Sequence, residues 1–268
     1  MELAGRLREA QAFVESRGYT CAYLAVYGSQ NYGLELDMPD YRSDLDVKCV
    51  VMPGLSILVR GESVPPVTLD WQGGQIEIKD ARRYTEVCAR LNPAYLETLL
   101  TPHYLAPCAA FERIRGLTAP LLAQAPAGFL QACRGVAMVK MKNLSHPFPA
   151  AMEKIRRWGY DGKQAHHMYR LLLVMRHFEK TRAYALMAPR EEYDFLIALK
   201  RNELPLEQAR MLTAQWAQEM EEICRCAAGN GDGFQMIVQQ MQGAAFEAVE
   251  ESIRNRILSA PDLTGRSG

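Results

Sequence analysis

Two aspartates, Asp44 and Asp46, stand one residue apart in the run DLDVKCVVM (44–52), fifteen residues after the Gly28-Ser29 pair. Alternate residues of a strand share a face. Two carboxylates on one face repel each other unless positive charge sits between them. Magnesium takes oxygen ligands and commonly bridges carboxylates to substrate phosphates. Gly28 and Ser29 close the β-rich run CAYLAVYG (21–28) and open a turn. Glycine there permits close backbone approach, and a serine hydroxyl with free turn amides forms an anion cradle. The chemistry expected of this pair of features is a phosphate held against a divalent cation.

A third acidic residue would complete a two-metal site, in which paired ions clamp attacking and leaving oxygens. The run QIEIKD (75–80) offers Glu77, a charge flanked by Ile76 and Ile78. Asp80 competes for the role, but its position fits a helix N-cap better. Glu77 is therefore the preferred third carboxylate or base. Further on, DGKQAHHMYRLLLVMRHF (161–178) places Lys163, His166 or His167, and Arg170 along one helical stripe. A stripe of Lys, His and Arg suits a triphosphate or developing transition-state charge. A zinc site from the two histidines is not expected, because no cysteine or acidic partner has ligand spacing.

Other polar and aromatic residues carry blander readings. Glu97, set among leucines in LNPAYLETLL, reads as a structural residue, on the surface or as a buried hydrogen-bond anchor. Tyr32 and Trp71 could stack on a base, though such aromatics more often belong to the core. The basic stretches KMKNLSH (140–146) and EKIRRW (153–158) could guide a polyanionic acceptor such as RNA; a solvated surface is the commoner outcome.

The elements that must position these groups fall into two regions. A helix is expected over 3–17, stopped by Gly18, then strands at 21–28 and 44–52. VTLDW (67–71) and QIEIKD (75–80), separated by Gly73-Gly74, read as a hairpin. Asp80 caps a helix through about Leu91. From 93 to 258 the pattern is helical, with segments at 93–101, 109–118, 127–143, 149–158, 161–180, 191–200, 205–227 and 234–257. The expected fold is α+β: a small mixed β-sheet domain over 1–104, an all-helical domain over 105–258 and a loose tail over 259–268.

Composition narrows the class. Apolar residues make up 49% of 268 and charged residues 23%, enough to build an ordinary globular core. Thirty-one basic and 31 acidic residues cancel, so no global charge pulls the chain to nucleic acid or anionic lipid. Seven cysteines without framework spacing argue against a secreted disulfide scaffold. The start MELAGRLREAQAF does not read as a signal peptide, and no apolar run approaches a membrane span. A cytoplasmic protein without membrane partners is expected.

Taken in order, GSQNYG (28–33), SDLDVK (43–48), LNPAYLETLL (91–100) and GKQAHHMYRLL (162–172) carry a resemblance. The chain resembles the polymerase-beta nucleotidyltransferase superfamily, and within it a bacterial and phage branch of RNA-ligase-associated nucleotidyltransferases. The resemblance covers roughly residues 22–226. It implies a nucleotidyltransferase fold, Mg2+ (or Mn2+) as cofactor and an NTP as donor of a nucleotidyl group. By matching positions it implies that Gly28 and Ser29 hold donor phosphates and that Asp44 and Asp46 hold the metal. Lys163, His167 and Arg170 match the branch's recurrent polar positions. The segment LELDMPDYR is longer than in that branch, which leaves Asp37 and Asp40 without an assigned role. The acceptor stays open between an RNA end (a tRNA or broken RNA), a protein hydroxyl and a small molecule. Two rivals remain: a non-catalytic nucleotide or RNA binder, and a defence or toxin–antitoxin enzyme that modifies a protein.

Overall fold

A computed structural model of the chain describes residues 3–35, 37–38 and 41–258, the segments 37–38 and 41–42 by backbone alone. Helix α1 (Leu3–Ser16) ends at Gly18, whose φ of 85° suits glycine, and leads into β1 (Thr20–Tyr27). A short helix α2 (Ser29–Tyr32) follows, then the two-stranded ribbon β2 (Asp37–Met38) and β3 (Tyr41–Arg42). This ribbon lies in the long LELDMPDYR segment. Asp40 falls outside the described residues, and the side chain of Asp37 is likewise not described.

Strand β4 (Asp46–Met52) pairs antiparallel with β1. After α3 (Leu55–Val59), β5 (Val67–Trp71) and β6 (Gly74–Asp80) form the expected hairpin. Its two turn residues, Gln72 and Gly73, both have positive φ (45° and 77°), the backbone of a type I′ turn whose twist matches its strands. Asp80 accepts from the Arg82 amide at 2.9 Å and so caps α4 (Ala81–Ala89). Asn92 caps α5 (Pro93–Leu100), with proline in the first turn, where no intrahelical donor is needed.

The sheet runs β5-β6-β4-β1-β7, closed at one edge by the short β7 (Tyr104–Leu105). Only β4 and β6 are parallel among these neighbours; Val47 faces Ile76 and Lys48 faces Glu77. From there the chain is helical: α6 (Ala110–Gly116), α7 (Thr118–Gln124), α8 (Pro126–Asn143), α9 (Met152–Trp158), α10 (Gly162–Thr181), α11 (Tyr193–Lys200), α12 (Leu206–Cys226) and α13 (Phe234–Leu258). The architecture is α+β, as the alternation of periods predicts. The helix expected over 109–118 is α6; a further helix not expected from the pattern, α7, follows it. Pro120 lies in the first turn of the second, where proline is tolerated.

The alternation of the strands sets two apolar layers. Leu24, Val26, Val47, Cys49 and Ile76 face α1, which buries Leu7, Ala10 and Val14 against them. The opposite face carries Tyr23, Ala25 and Val50. It shares one continuous core with α4, α5 and the helices from α6 to α13. The candidate site lies at the end of this inner face, where polar residues replace apolar ones. Among the described residues no helix is long and apolar enough to cross a membrane.

Candidate active site

Strand β1 ends at Gly28, where φ is 88°, a left-handed value that favours glycine. The tight turn brings this position beside β4: a Cβ built on Gly28 would lie 3.8 Å from Asp46 Oδ2. Asp46 is the first residue of β4; Asp44 precedes it in extended chain and is exposed, while Asp46 is half-buried. The Asp44–Asp46 backbone is pressed against Gly74, where a Cβ would sit 2.0 Å from the Leu45 carbonyl oxygen. Glycine at 74 is thus required for β6 to approach this closely.

Gly28, Ser29, Asp44 and Asp46 line one wall of a cavity of about 560 Å³. That volume falls within the range of small-molecule sites. Lys163, His166, His167 and Arg170 of α10 line the facing wall, so the helical stripe and the Gly-Ser turn meet across one space. Three further lysines enter it from distant parts of the chain: Lys140 of α8, Lys154 of α9 and Lys200 of α11. Lys200 Nζ donates to the Leu34 carbonyl at 3.2 Å and lies 3.4 Å from Ser43 Oγ, tying α11 to the segment before Asp44. Lys154 pairs with Asp161 at 3.2 Å, and Asp161 also caps α10 through the Lys163 amide.

The electrostatics fit an anion and a cation together. Partial burial raises the pKa of Asp46; Lys163 opposes that shift and Asp44 adds to it. Burial lowers the pKa of Lys140 and of Lys200, and nearby Lys163 lowers both further. Each of these groups gains from a bound partner of opposite charge. Two hard carboxylate oxygens donors beside several cations suit a divalent ion that shares its remaining coordination with phosphate. The residues present therefore fit Mg2+ or Mn2+ on Asp44 and Asp46.

The histidines act differently from the lysines. Burial depresses His166 to about 4, and its Nδ1 lies 2.9 Å from the Leu196 carbonyl. Burial likewise pushes His167 well below its ordinary value, with His166 and Arg170 adding to the effect. Both imidazoles are neutral near pH 7, so the positive charge of this wall comes from lysine and arginine.

Glu77 lies elsewhere than the expectation of a third metal ligand would place it. It is not among the residues lining the cavity. The parallel register sets it opposite Lys48, one pair of positions beyond Asp46, and the two form an ion pair. Tyr95 OH donates to its other oxygen at 2.5 Å. Lys48 is 5% exposed and stacks over Tyr27 and Tyr95 at 4.0 and 4.6 Å, so this buried ammonium requires Glu77 as its counter-charge. The residue beside Asp46 is Gln75, whose backbone hydrogen-bonds the Asp46 carboxylate and which lines the cavity. Asp80, the alternative, is fully buried as a cap and pairs with Arg82 at 3.0 Å. Among the described residues no group of three metal-ligating side chains is assembled.

Glu97 is the residue that sequence reading undervalues. It is fully buried and accepts from the Gly28 amide at 2.7 Å and from Asn31 Nδ2 at 3.0 Å. Tyr32 OH donates to its second oxygen, and Arg170 Nη2 stands 4.0 Å from that oxygen. Tyr32 thus lines the cavity as part of this network, with Arg170 stacked 3.7 Å over its ring. Trp71 packs in the core under Arg6.

A five-stranded mixed sheet whose first turn and paired carboxylates face a cationic helix across a cleft is a polymerase-beta-like nucleotidyltransferase arrangement. The same conclusion comes from sequence comparison. The family model described as the RNA repair pathway DNA polymerase beta family matches residues 5–234, and the chain belongs to that family. No curated protein matches the chain.

Proposed function

We propose that the protein is a metal-dependent nucleotidyltransferase that moves a nucleotidyl group from an NTP to an acceptor hydroxyl and releases pyrophosphate. The observation that carries this reading is the sharing of one cavity by Asp44 and Asp46 with Lys140, Lys163, Lys200 and Arg170. A triphosphate and a divalent cation are the complementary pair for such a lining. Asp44 and Asp46 would hold Mg2+, which would supply neutralisation of phosphate charge.

The protein's own part is positioning and charge. Ser29 and the turn that carries it hold donor phosphate close to Asp46. Lys163 and Arg170 approach from α10 and balance the triphosphate's charge from the other side; His167 adds a neutral hydrogen-bonding group. The acceptor hydroxyl gives up its proton to water as its oxygen attacks the α-phosphorus, the bond from that phosphorus to the oxygen shared with the β-phosphorus breaks, and pyrophosphate leaves. Glu77 is committed to Lys48, so the reading rests on Asp44 and Asp46.

An RNA end is the acceptor best supported. Exposed Lys142, Arg156 and Arg157 lie within three residues of cavity-lining Lys140 and Lys154, which extends positive charge outward from the site. The description of the family points the same way. The test is incubation with α-labelled NTPs, Mg2+ and RNA, protein or small-molecule acceptors. Label transfer with equimolar pyrophosphate is expected with RNA. Transfer to protein alone would favour a defence-type enzyme. NTP or RNA binding that is unchanged by EDTA, with no transfer, would favour a non-catalytic binder.

A further inference from the structure

Arg170 presents an unusual balance of contacts. It is 6% exposed and lines the cavity, yet its Nε and Nη1 atoms are buried without a hydrogen-bond partner. Its nearest carboxylate, Glu97, stands 4.0 Å from Nη2, an ion pair too long for a direct hydrogen bond. The guanidinium is held by that charge, by the face of Tyr32 beneath it at 3.7 Å and by the hydroxyl of Tyr184, which leaves Nε and Nη1 unpaired. Tyr32 in turn is fixed through its hydroxyl, which donates to the same oxygen of Glu97. The other oxygen of Glu97 accepts from the Gly28 amide and from Asn31.

A single buried carboxylate therefore touches both walls of the cavity. One oxygen sets the turn after β1, and the other sets the stacked pair Tyr32 and Arg170. A neutral acceptor would be enough to cap the Gly28 amide. The charge of a fully buried glutamate is explained only by the cation it faces, because an uncompensated buried charge is costly. An arginine so placed keeps its unused N–H groups available for a planar, bidentate anion contact.

We propose that Glu97 is a positioning residue: it fixes Arg170 against the Gly28–Ser29 turn, so that the free N–H groups of Arg170 meet a phosphoryl oxygen of a polyphosphate. This role deepens the reading of the cavity as an NTP site and rests on it. The experiment is chosen to separate the two: it measures binding of inorganic tripolyphosphate to the full-length protein by calorimetry, with no turnover required. A protein that binds tripolyphosphate as expected but transfers no label would overturn the enzymatic reading and leave the coupling of Glu97 to Arg170 standing.

The variants are E97Q, R170Q and the double variant, with Y32F as the milder change. R170Q is expected to weaken tripolyphosphate binding by roughly tenfold or more, the scale of a charged hydrogen bond. E97Q is expected to lose a similar factor with its melting curve still cooperative. The double variant is expected to bind no more weakly than R170Q alone, the signature of two residues acting as one unit. E97D, which keeps the charge, is expected to recover part of the loss. Should E97Q not fold, Y32F serves: it keeps the ring under Arg170 and removes the hydroxyl on Glu97. Y32F is expected to weaken binding in the wild-type background and to have no effect in R170Q. Wild-type affinity in folded E97Q, multiplying losses in the double variant, equal Y32F effects in both backgrounds, or no tripolyphosphate binding by the wild type would each overturn the proposal.

Discussion

Glu77 stands opposite Lys48 in the parallel β4–β6 register, and the two side chains form an ion pair against the rings of Tyr27 and Tyr95. This pairing decides the first prediction. Removing the carboxylate leaves a buried ammonium without a partner. E77Q is expected to destabilise the fold by about 2 kcal/mol, below the range for fully buried pairs because Glu77 is partly exposed. K48M/E77Q is expected to recover much of that loss. Thermal unfolding of the three proteins checks both statements.

The same pair predicts an acid dependence. Burial raises the pKa of Glu77, but the charge and hydrogen bond of Lys48 outweigh it, and the net shift is downward from 4.5. A depressed carboxylate contributes stability that is present above the unfolded value and lost as pH falls through the folded one. Wild type and E77Q should therefore converge in stability as pH falls from 4.5 through the lowered folded-state value. Unfolding midpoints measured between pH 3 and 7 would show the convergence; a constant gap would contradict it.

Asp46 predicts the opposite sign. Its pKa lies above 3.8, chiefly through burial, with Lys163 opposing and Asp44 reinforcing the shift. The folded metal-free protein binds more protons here than the unfolded chain, so this site loses stability as pH rises through the window above 3.8. D46N is expected to raise the melting temperature of the metal-free protein at pH 7 and to abolish the further rise that Mg2+ and an NTP analogue give the wild type. Scanning calorimetry with and without the two ligands reads both effects.

The histidines predict an absence of titration. With His166 depressed to about 4 and His167 well below its ordinary value, neither should change charge between pH 6 and 8. Imidazole proton shifts followed by NMR should stay flat for both over that range. A step near pH 6.5 in either would show that the cavity is more open to water than its burial implies.

Legibility in the sequence followed the range of the interaction. The Gly-Ser turn, the Asp44–Asp46 pair, the Asp80 cap and the Lys163–Arg170 stripe are local patterns, and turn chemistry, capping and helical period make each readable within a few residues. That Glu77 pairs with Lys48 is not readable locally, because its neighbour depends on the parallel register with β4, which no local pattern fixes. Lys140 is readable only as part of the basic stretch 140–146, and Lys200 not at all, because both reach the cavity from α8 and α11 through tertiary packing. Glu97 was legible as an anchor, but its partners lie 66 residues back at Asn31 and 73 ahead at Arg170.

The central claim is that Asp44 and Asp46 jointly hold one divalent cation against the phosphates of a nucleotide. Mn2+ titration followed by electron paramagnetic resonance, in the presence of a non-hydrolysable NTP, addresses it directly. The account predicts tight Mn2+ binding by the wild type and a loss of roughly a hundredfold in D44N and in D46N, each still folded. Mn2+ affinity that is unchanged in either folded variant would contradict it.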